Sequence, residues 1–149
     1  MTQNLANIVM DGQSTTISID DDDLQVISMS PPSISSGGEI DVTTMDNVAW
    51  RTKAPKKLKE LGEISFSALY DPAKIGDFLG TGVDGVGYNK SIVITFADAS
   101  TLTFWGWVDS FAPSEISEGE APTVDVTIIV SNHNGVGLAG GAETAPVYA

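Results

Sequence analysis

Hydrophobic and polar residues alternate along much of the chain with the two-residue period of a β-strand. In the segment ISFSAL, residues 64–69, the isoleucine, phenylalanine and alanine fall on one face of a strand and the two serines on the other. The same alternation marks further segments, whose apolar positions are Ile17 and Ile19; Ile40 and Val42; Ile92, Ile94 and Phe96; Leu102, Phe104 and Val108; and Val124, Val126, Ile128 and Val130. The pattern predicts strands in which these apolar side chains point inward.

Turn-forming residues separate the predicted strands, among them Pro31-Pro32, Gly37-Gly38 and Asp84-Gly85. Residues 91–109 are expected to form a hairpin. A helical pattern is confined to two short segments, KKLKELG at 56–62 and DPAKIGDFLG at 71–80. The second is the better helix, because an aspartate can cap it and a proline takes its first position.

Strands separated by turns, with one short helix, predict an all-β fold rather than alternating βαβ units. The expected architecture is a two-sheet antiparallel β-sandwich or partly closed barrel with a short flanking helix. A chain of 149 residues suits one domain, here assigned to residues 1–135. Residues 136–149 are rich in glycine and are expected to form a flexible C-terminal arm that becomes ordered on assembly.

Charge and composition narrow the possible functions. The net charge is −13, from 20 acidic and 7 basic residues, which disfavours a grip on nucleic acid or on an anionic membrane. There is no cysteine, hence no disulfide framework and no thiolate metal site. The sequence has neither an N-terminal signal pattern nor an apolar run long enough to cross a bilayer, so we expect a soluble protein made in the cytoplasm.

A GxGxxG pattern, typical of dinucleotide-binding loops, occurs at Gly80, Gly82 and Gly85 and again at Gly135, Gly137 and Gly140. The first follows a predicted helix instead of a strand, and the second lies too close to the C-terminus for a βαβ unit. Chance matches are expected in a glycine-rich chain. We therefore expect no nucleotide cofactor.

Two further features bear on the question of a metal or catalytic site. Four consecutive aspartates, 20–23, cannot all face one cation, so we interpret them as a solvated loop between two strands. His133 is the single histidine and is accompanied by no nucleophile motif. We expect no catalytic residue, no metal site and no enzymatic activity.

Trp105 and Trp107 share one face of a predicted strand, opposite Phe104 and Val108. Paired tryptophans on a strand resemble the platform of a carbohydrate-binding module, which is the alternative function of a different class. The structural interpretation, which we favour, is that both faces of this strand are covered by protein.

Five of the seven basic residues lie within nine positions: Arg51, Lys53, Lys56, Lys57 and Lys59. Such clustering in a loop, 43–62, of an otherwise acidic chain indicates docking onto an acidic partner surface. Two candidate surfaces are Asp20–Asp23 and the group Glu115, Glu118 and Glu120. A nucleic-acid patch is the weaker interpretation, because no aromatic residues are interleaved for base stacking.

The order of segments resembles the major tail tube proteins of long-tailed bacteriophages. The pieces that carry the resemblance are GEIDVTTMDNVAW, a basic loop, GEISFSALYDP, a short helix, KSIVITFADASTLTFWGWVDSFAP and PTVDVTIIVSNHNG, spanning residues 37–135. The resemblance implies hexameric rings that stack into a tube, with inner sheets joined edge to edge around a channel for the genome. It also implies that the basic loop reaches the neighbouring ring, so the inter-ring contacts would be the five basic residues above.

A tube of this kind would need a polar or acidic lumen along which DNA slides without specific binding. The lumen candidates are the polar positions of the alternating segments: Glu39, Asp41, Ser65, Ser67, Asp125 and Thr127. By resemblance, the partners would be further copies of the chain, a tape measure protein, a tail terminator and distal tail proteins, with no membrane partner. The protein would reside in the virion tail after assembly in the host cytoplasm. The inner tube of a type VI secretion or other contractile injection system is the nearest alternative.

Overall fold

A computed structural model of the chain describes residues 15–19, 22–70, 72, 78–79, 85–138 and 140–149. The chain divides into two compact units. The hairpin unit is Pro32–Glu63, and the barrel unit comprises Met1–Pro31 together with Ile64–Ala149. The strand pairs described in both units are antiparallel.

Six strands of the barrel unit close into an antiparallel barrel in the order β10-β7-β2-β1-β8-β9, with β9 pairing back to β10. Their bounds are β1 Thr16–Ile19, β2 Asp22–Ser30, β7 Ile64–Leu69, β8 Lys90–Thr95, β9 Thr101–Pro113 and β10 Thr123–Val130. A seventh strand, β11 Val147–Tyr148, pairs with β9 outside this closed circuit. Closure gives each of the six strands a neighbour on both sides, although the later parts of β2 and β9 are paired on one side only.

Two long strands change neighbours along their length. The first part of β2, Asp22–Gln25, pairs with β1, and the part from Val26 to Ser30 pairs with β7. Likewise β9 pairs with β8 through residues 101–106 and with β10 through residues 106–113. A register shift interrupts each of the β2–β7 and β10–β9 ladders. Bulges of this kind bend a strand, which lets β2 and β9 turn the corners of the barrel.

The barrel core is formed by the apolar positions of the alternating segments. Its buried side chains include Ile17, Ile19, Ile64, Phe66, Ala68, Ile92, Ile94, Phe104, Val108, Val124, Val126 and Ile128. The predicted inward face is therefore confirmed for these positions, and the predicted hairpin at 91–109 is the β8–β9 pair. Trp105 and Trp107 alternate with this core and are half-buried.

Gly106 marks a place where two backbones approach closely. It is buried in β9 and pairs with Val130 of β10. A Cβ atom at this position would collide with the backbone carbonyl oxygen of Ile129. Only glycine lets the two strands meet at this distance.

Three details of the predicted fold need correction. The β-structure is a closed barrel with one extra strand, and the two-sheet sandwich is not confirmed. Residues 56–62 are not helical: Glu60–Leu61 is strand β6, because pairing with Ile34–Ser35 overrides the helix propensity of lysine, leucine and glutamate. The aspartate run is not purely a loop, since Asp22 and Asp23 belong to β2.

The predicted helix at 71–80 lies mostly outside the described residues. Of that segment the structure describes Pro72, Phe78 and Leu79. Phe78 is buried, and its ring stacks on Phe111 with the ring centroids 4.4 Å apart. The ammonium of the buried Lys90 lies 5.7 Å from the centroid of the Phe78 ring. This contact provides a cation–π interaction at one end of the core.

The hairpin unit contains two short antiparallel pairs. Strand β3, Ile34–Ser35, pairs with β6, Glu60–Leu61, and β4, Glu39–Asp41, pairs with β5, Lys53–Pro55. The prediction that Ile40 and Val42 point inward is wrong, because both are exposed. Their alternation is real, but a two-stranded pair has no second layer to cover its apolar face.

The C-terminal segment is connected to the barrel at several points. Buried Asn89 donates hydrogen bonds to the carbonyl oxygens of His133, at 2.7 Å, and Gly135, at 2.8 Å. Farther along, Thr101 and Ala149 exchange two backbone hydrogen bonds of 2.9 Å beside β11. That the arm is mobile before assembly stays a prediction.

Candidate functional site

The tip of the hairpin unit, residues 42–52, carries three exposed apolar side chains. Met45 and Val48 are fully exposed, and Trp50 is 84% exposed. Monomeric proteins rarely leave such a group in water, and exposed apolar clusters usually mark interaction sites. We call Met45, Val48 and Trp50 the apolar tip.

Side-chain hydrogen bonds fix the backbone beneath the apolar tip. The Asn47 side chain accepts a hydrogen bond from the Thr44 N–H at 2.9 Å, and it donates to the Trp50 carbonyl oxygen at 3.0 Å and to the Thr52 hydroxyl at 2.7 Å. Thr43 and Thr52 form a second bridge, in which the Thr52 N–H donates to the Thr43 hydroxyl at 2.9 Å. The turn is thus held in one shape while its apolar side chains point into solvent.

Two of the five predicted inter-ring basic residues are paired within the hairpin unit. Arg51 contacts Asp41 at 3.0 Å, and Lys53 contacts Glu39 at 2.8 Å. Both ion pairs join the two arms of the β4–β5 hairpin. Sequence reasoning missed them, although the acidic residues at 39 and 41 and the basic residues at 51 and 53 share the two-residue spacing of facing strands.

Hydrogen bonds also tune one carboxylate of this hairpin. The Thr43 side chain and the Thr43 backbone N–H hold the pKa of Asp41 below its ordinary value. The same arrangement occurs in the β8–β9 turn, where the Ser100 hydroxyl and N–H lower the pKa of Asp98. Both carboxylates remain charged at neutral pH.

The other three predicted basic residues line a groove in the hairpin unit. The groove has a volume of about 590 Å³ and is lined by Gly37, Ile40, Lys56, Lys57, Leu58, Lys59 and Glu60. Its apolar members are both exposed, Leu58 at 79% and Ile40 at 49%. We call it the lysine-rimmed groove. No ion pair engages its three lysines within the described part of the chain.

Backbone geometry shapes this groove. Gly37 and Gly38 have φ angles of 78° and 107°, a conformation that other residues rarely adopt. A Cβ atom at Gly37 would lie 3.0 Å from the Leu58 carbonyl oxygen. The Lys56 N–H donates to the Gly38 carbonyl oxygen at 3.1 Å. The lysine segment is therefore fastened to the double-glycine turn.

A second candidate surface lies on the barrel, across β2, β7, β10 and β9. The register aligns Ser28, Ser67, Asp125 and Ala112 in one row and Ser30, Ser65, Thr127 and Ser110 in the next. These side chains alternate with buried residues such as Phe66 and Val126, so they point away from the core. We call these eight residues the polar face. Its single charged residue, Asp125, accepts a hydrogen bond of 2.6 Å from the Ser67 hydroxyl.

The structure brings together four of the six predicted lumen candidates. Ser65, Ser67, Asp125 and Thr127 are neighbours on the polar face, around an open depression of about 260 Å³. Glu39 and Asp41 lie instead in the hairpin unit, in the ion pairs described above. Period-two alternation identified outward positions of β4, β7 and β10 but not which of these strands share a sheet.

His133 and the glycines of the second GxGxxG pattern belong to the turns that follow β10. His133 is half-buried, and its Nδ1 accepts a 3.1 Å hydrogen bond from the Gly135 N–H. The glycines at 135, 137 and 140 lie in and beside a 3₁₀ turn, Val136–Leu138. The described residues contain no group of three or more histidine, cysteine, aspartate or glutamate side chains able to hold a metal ion. No helix among them has the length and apolar character needed to cross a membrane.

Comparison with known proteins places this fold among the chains of gene transfer agent particles. A chain from the virion of a native gene transfer agent particle superposes with a TM-score of 0.56 at 13% identity, covering 97% of this chain and 100% of the other. A chain from the tail of an empty gene transfer agent particle of C6 symmetry gives a TM-score of 0.54 at 11% identity, with 97% and 100% coverage. At such identities the likeness establishes a shared fold. The sequence matches no protein-family model and no curated protein sequence.

Proposed function

We propose that this chain is a structural subunit of a phage-like tail, where it forms hexameric rings that stack into the tube through which a genome is delivered. The observation that carries the proposal is the likeness along nearly the whole chain to a chain from a tail of C6 symmetry. The gene transfer agent is a phage-like particle, so the fold fits the resemblance to tail tube proteins. In this role the chain performs no chemistry.

The edges beside the polar face support lateral assembly. Residues Val26 to Ser30 of β2 pair with β7 on one side. On the other side, the pairing of β2 with β1 extends only to Gln25. Beyond Val108, β9 pairs with β10 while β8 no longer accompanies it. Among the described residues no strand occupies either of these two outer edges. Joining one edge to the other in a neighbouring copy would continue the four-stranded surface around a ring.

The polar face suits the wall of a channel for DNA. Seven of its eight side chains are serine, threonine or aspartate, and none is basic. Phosphates are held chiefly by lysine and arginine, so this surface offers DNA no strong electrostatic contact. A genome would therefore pass without being retained.

The apolar tip supports contact between rings. Its three large side chains are held in solvent by a hydrogen-bonded turn, which is costly for a subunit that stays alone. Burial against an adjacent ring would remove them from water. The tape measure, terminator and distal tail proteins expected by resemblance would bind the interior or the ends of such a tube.

Electron microscopy of the concentrated pure protein tests the proposal. We expect six-fold rings or tubes, together with concentration-dependent association in sedimentation velocity. A protein that remains monomeric at high concentration, with no rings in the images, would overturn the proposed role.

A second experiment tests the channel wall. Replacing Ser65 and Thr127 by lysine should leave the tubes intact but make them retain short DNA fragments at low salt. The control carries two lysines at Thr16 and Ser18 of β1, outward positions away from the polar face. If DNA binds both variants equally, the polar face is not the channel lining.

A further inference from the structure

The lysine-rimmed groove has the features of a binding site for an acidic segment with an apolar anchor. Its apolar centre is Leu58 beside Ile40, and Lys56, Lys57 and Lys59 supply three positive charges. Glu60 at one end leaves the groove with a net positive charge. A matching ligand would insert one aliphatic side chain and place carboxylates over the lysines.

The barrel unit itself contains such a segment, the loop between β9 and β10. In this loop Ile116 is 67% exposed, and Glu115, Glu118 and Glu120 surround it in sequence. Among the exposed large apolar residues described in the barrel unit, Ile116 is the one with three glutamates within four positions. None of these glutamates forms an ion pair in the described part of the chain.

Hydrogen bonds fix the base of this loop, and this restricts the positions that Ile116 can take. The Ser114 N–H donates to the Thr123 carbonyl oxygen at 2.9 Å, and the two hydroxyls of Ser114 and Thr123 lie 2.6 Å apart. Gly119, with φ of 83°, allows the chain to turn back toward β10. A loop closed in this way loses less conformational entropy on binding than a free segment.

We propose that the lysine-rimmed groove of one copy binds the β9–β10 loop of another copy, with Ile116 seated between Ile40 and Leu58 and the glutamates facing the three lysines. The inference rests on the proposed tail role, and it identifies two further surfaces that would join one ring to the next, in addition to the apolar tip. Of the two acidic surfaces suggested by the sequence, the group Glu115, Glu118 and Glu120 lies beside an exposed aliphatic side chain, Ile116. Arg51 and Lys53 take no part, because Asp41 and Glu39 already neutralise them.

The absence of cysteine from the chain permits a direct cross-linking test. Ser36→Cys, beside the groove, and Ser117→Cys, beside Ile116, leave the proposed contact residues in place. They are made as two separate single variants, mixed, assembled and treated with a short bis-maleimide reagent. We expect a cross-linked dimer from the mixture that is absent when either variant is treated alone. The matched control is Val86→Cys, an exposed position of the barrel unit, which should not cross-link to Ser36→Cys.

The outcomes separate this inference from the proposed function. Tubes that form from the mixture without the cross-link between positions 36 and 117 overturn the inference and leave the tail role standing. If the unaltered chain forms neither rings nor tubes, the tail role fails and this inference fails with it.

Charge reversal provides a second readout that does not depend on cysteine chemistry. Replacing Lys56, Lys57 and Lys59 by glutamate should abolish tubes while the circular dichroism of the barrel is unchanged. Replacing Glu115, Glu118 and Glu120 by lysine should do the same, and combining all six changes in one chain should restore tubes. Loss in both triple variants without restoration in the combined variant would show that the lysines face a different acidic surface, which contradicts the inference.

Discussion

The barrel unit and the hairpin unit use the same alternation of apolar and polar residues with opposite results. In β7 the alternation buries Ile64, Phe66 and Ala68 completely or nearly so. In the hairpin unit Ile34 is 80% exposed, and Ile40 is about half exposed. The difference is the number of layers, since a barrel supplies an interior and a two-stranded pair supplies none. Apolar residues therefore stabilise the fold in one unit and remain available for binding in the other.

The largest expected effect concerns assembly and the apolar tip. Replacing Met45, Val48 and Trp50 by serine should abolish rings or tubes, because the apolar area expected to be buried between copies is removed. The folded barrel should be unaffected, with unchanged circular dichroism and thermal midpoint in dilute protein. Electron microscopy measures the loss. Tubes of normal length from this variant would mean that exposure of the tip serves no assembly contact.

A matched pair of substitutions compares how much a buried and an exposed isoleucine contribute to the free energy of unfolding. Ile128→Ala in the barrel empties a site that is fully buried, and it should cost about 2–5 kcal/mol in the free energy of unfolding. Ile34→Ala in the hairpin unit should change that free energy by less than about 0.5 kcal/mol. Urea denaturation of unassembled protein gives both values. Equal losses would show that Ile34 supports the folded subunit.

Gly106→Ala tests the close approach of the β9 and β10 backbones in the barrel. The added methyl group would meet the Ile129 carbonyl oxygen, and the strain should cost about 1–3 kcal/mol. Gly119→Ala is the comparison, because nothing lies near its added methyl group and only the positive φ opposes it, at about 1–2 kcal/mol. A smaller loss at Gly106 than at Gly119, measured by urea denaturation, would contradict the close packing of β9 on β10.

The smallest effect is a pH response of the hairpin unit. Hydrogen bonds with Thr43 place the pKa of Asp41 below its ordinary value of 3.8. Because the folded-state pKa is the lower one, the stabilisation by Asp41 is complete above the unfolded value and is lost as the pH falls through the folded value. The amide resonance of Thr43 should therefore titrate with a midpoint below 3.8, and Asp41→Asn should remove the transition. A midpoint above 3.8 would contradict the hydrogen-bonded geometry.

Most of the barrel was predictable from the sequence, because a period of two assigns each residue of a strand to one of two faces. The same rule failed at Ile40 and Val42, since it states which residues share a face but not whether anything covers that face. It also grouped Glu39 and Asp41 with Ser65 and Ser67, although these pairs lie in different units. Closure of the barrel depends on β2 and β9 changing neighbours at bulges, and no local pattern in the sequence marks these points.

The pairing of β9 has a mechanical consequence. This strand runs for 13 residues, about 40 Å at the rise of an extended chain, and it pairs with β8, β10 and β11. A force applied to β11 is transmitted to Leu102 and Thr103 of β9, and from there along the β9 backbone to its pairing with β10. Antiparallel hydrogen bonds along that path are loaded together in shear, which resists extension better than breaking them one at a time. The unpaired Asp109 interrupts the β9–β10 ladder, so this is the point at which the two strands should separate first.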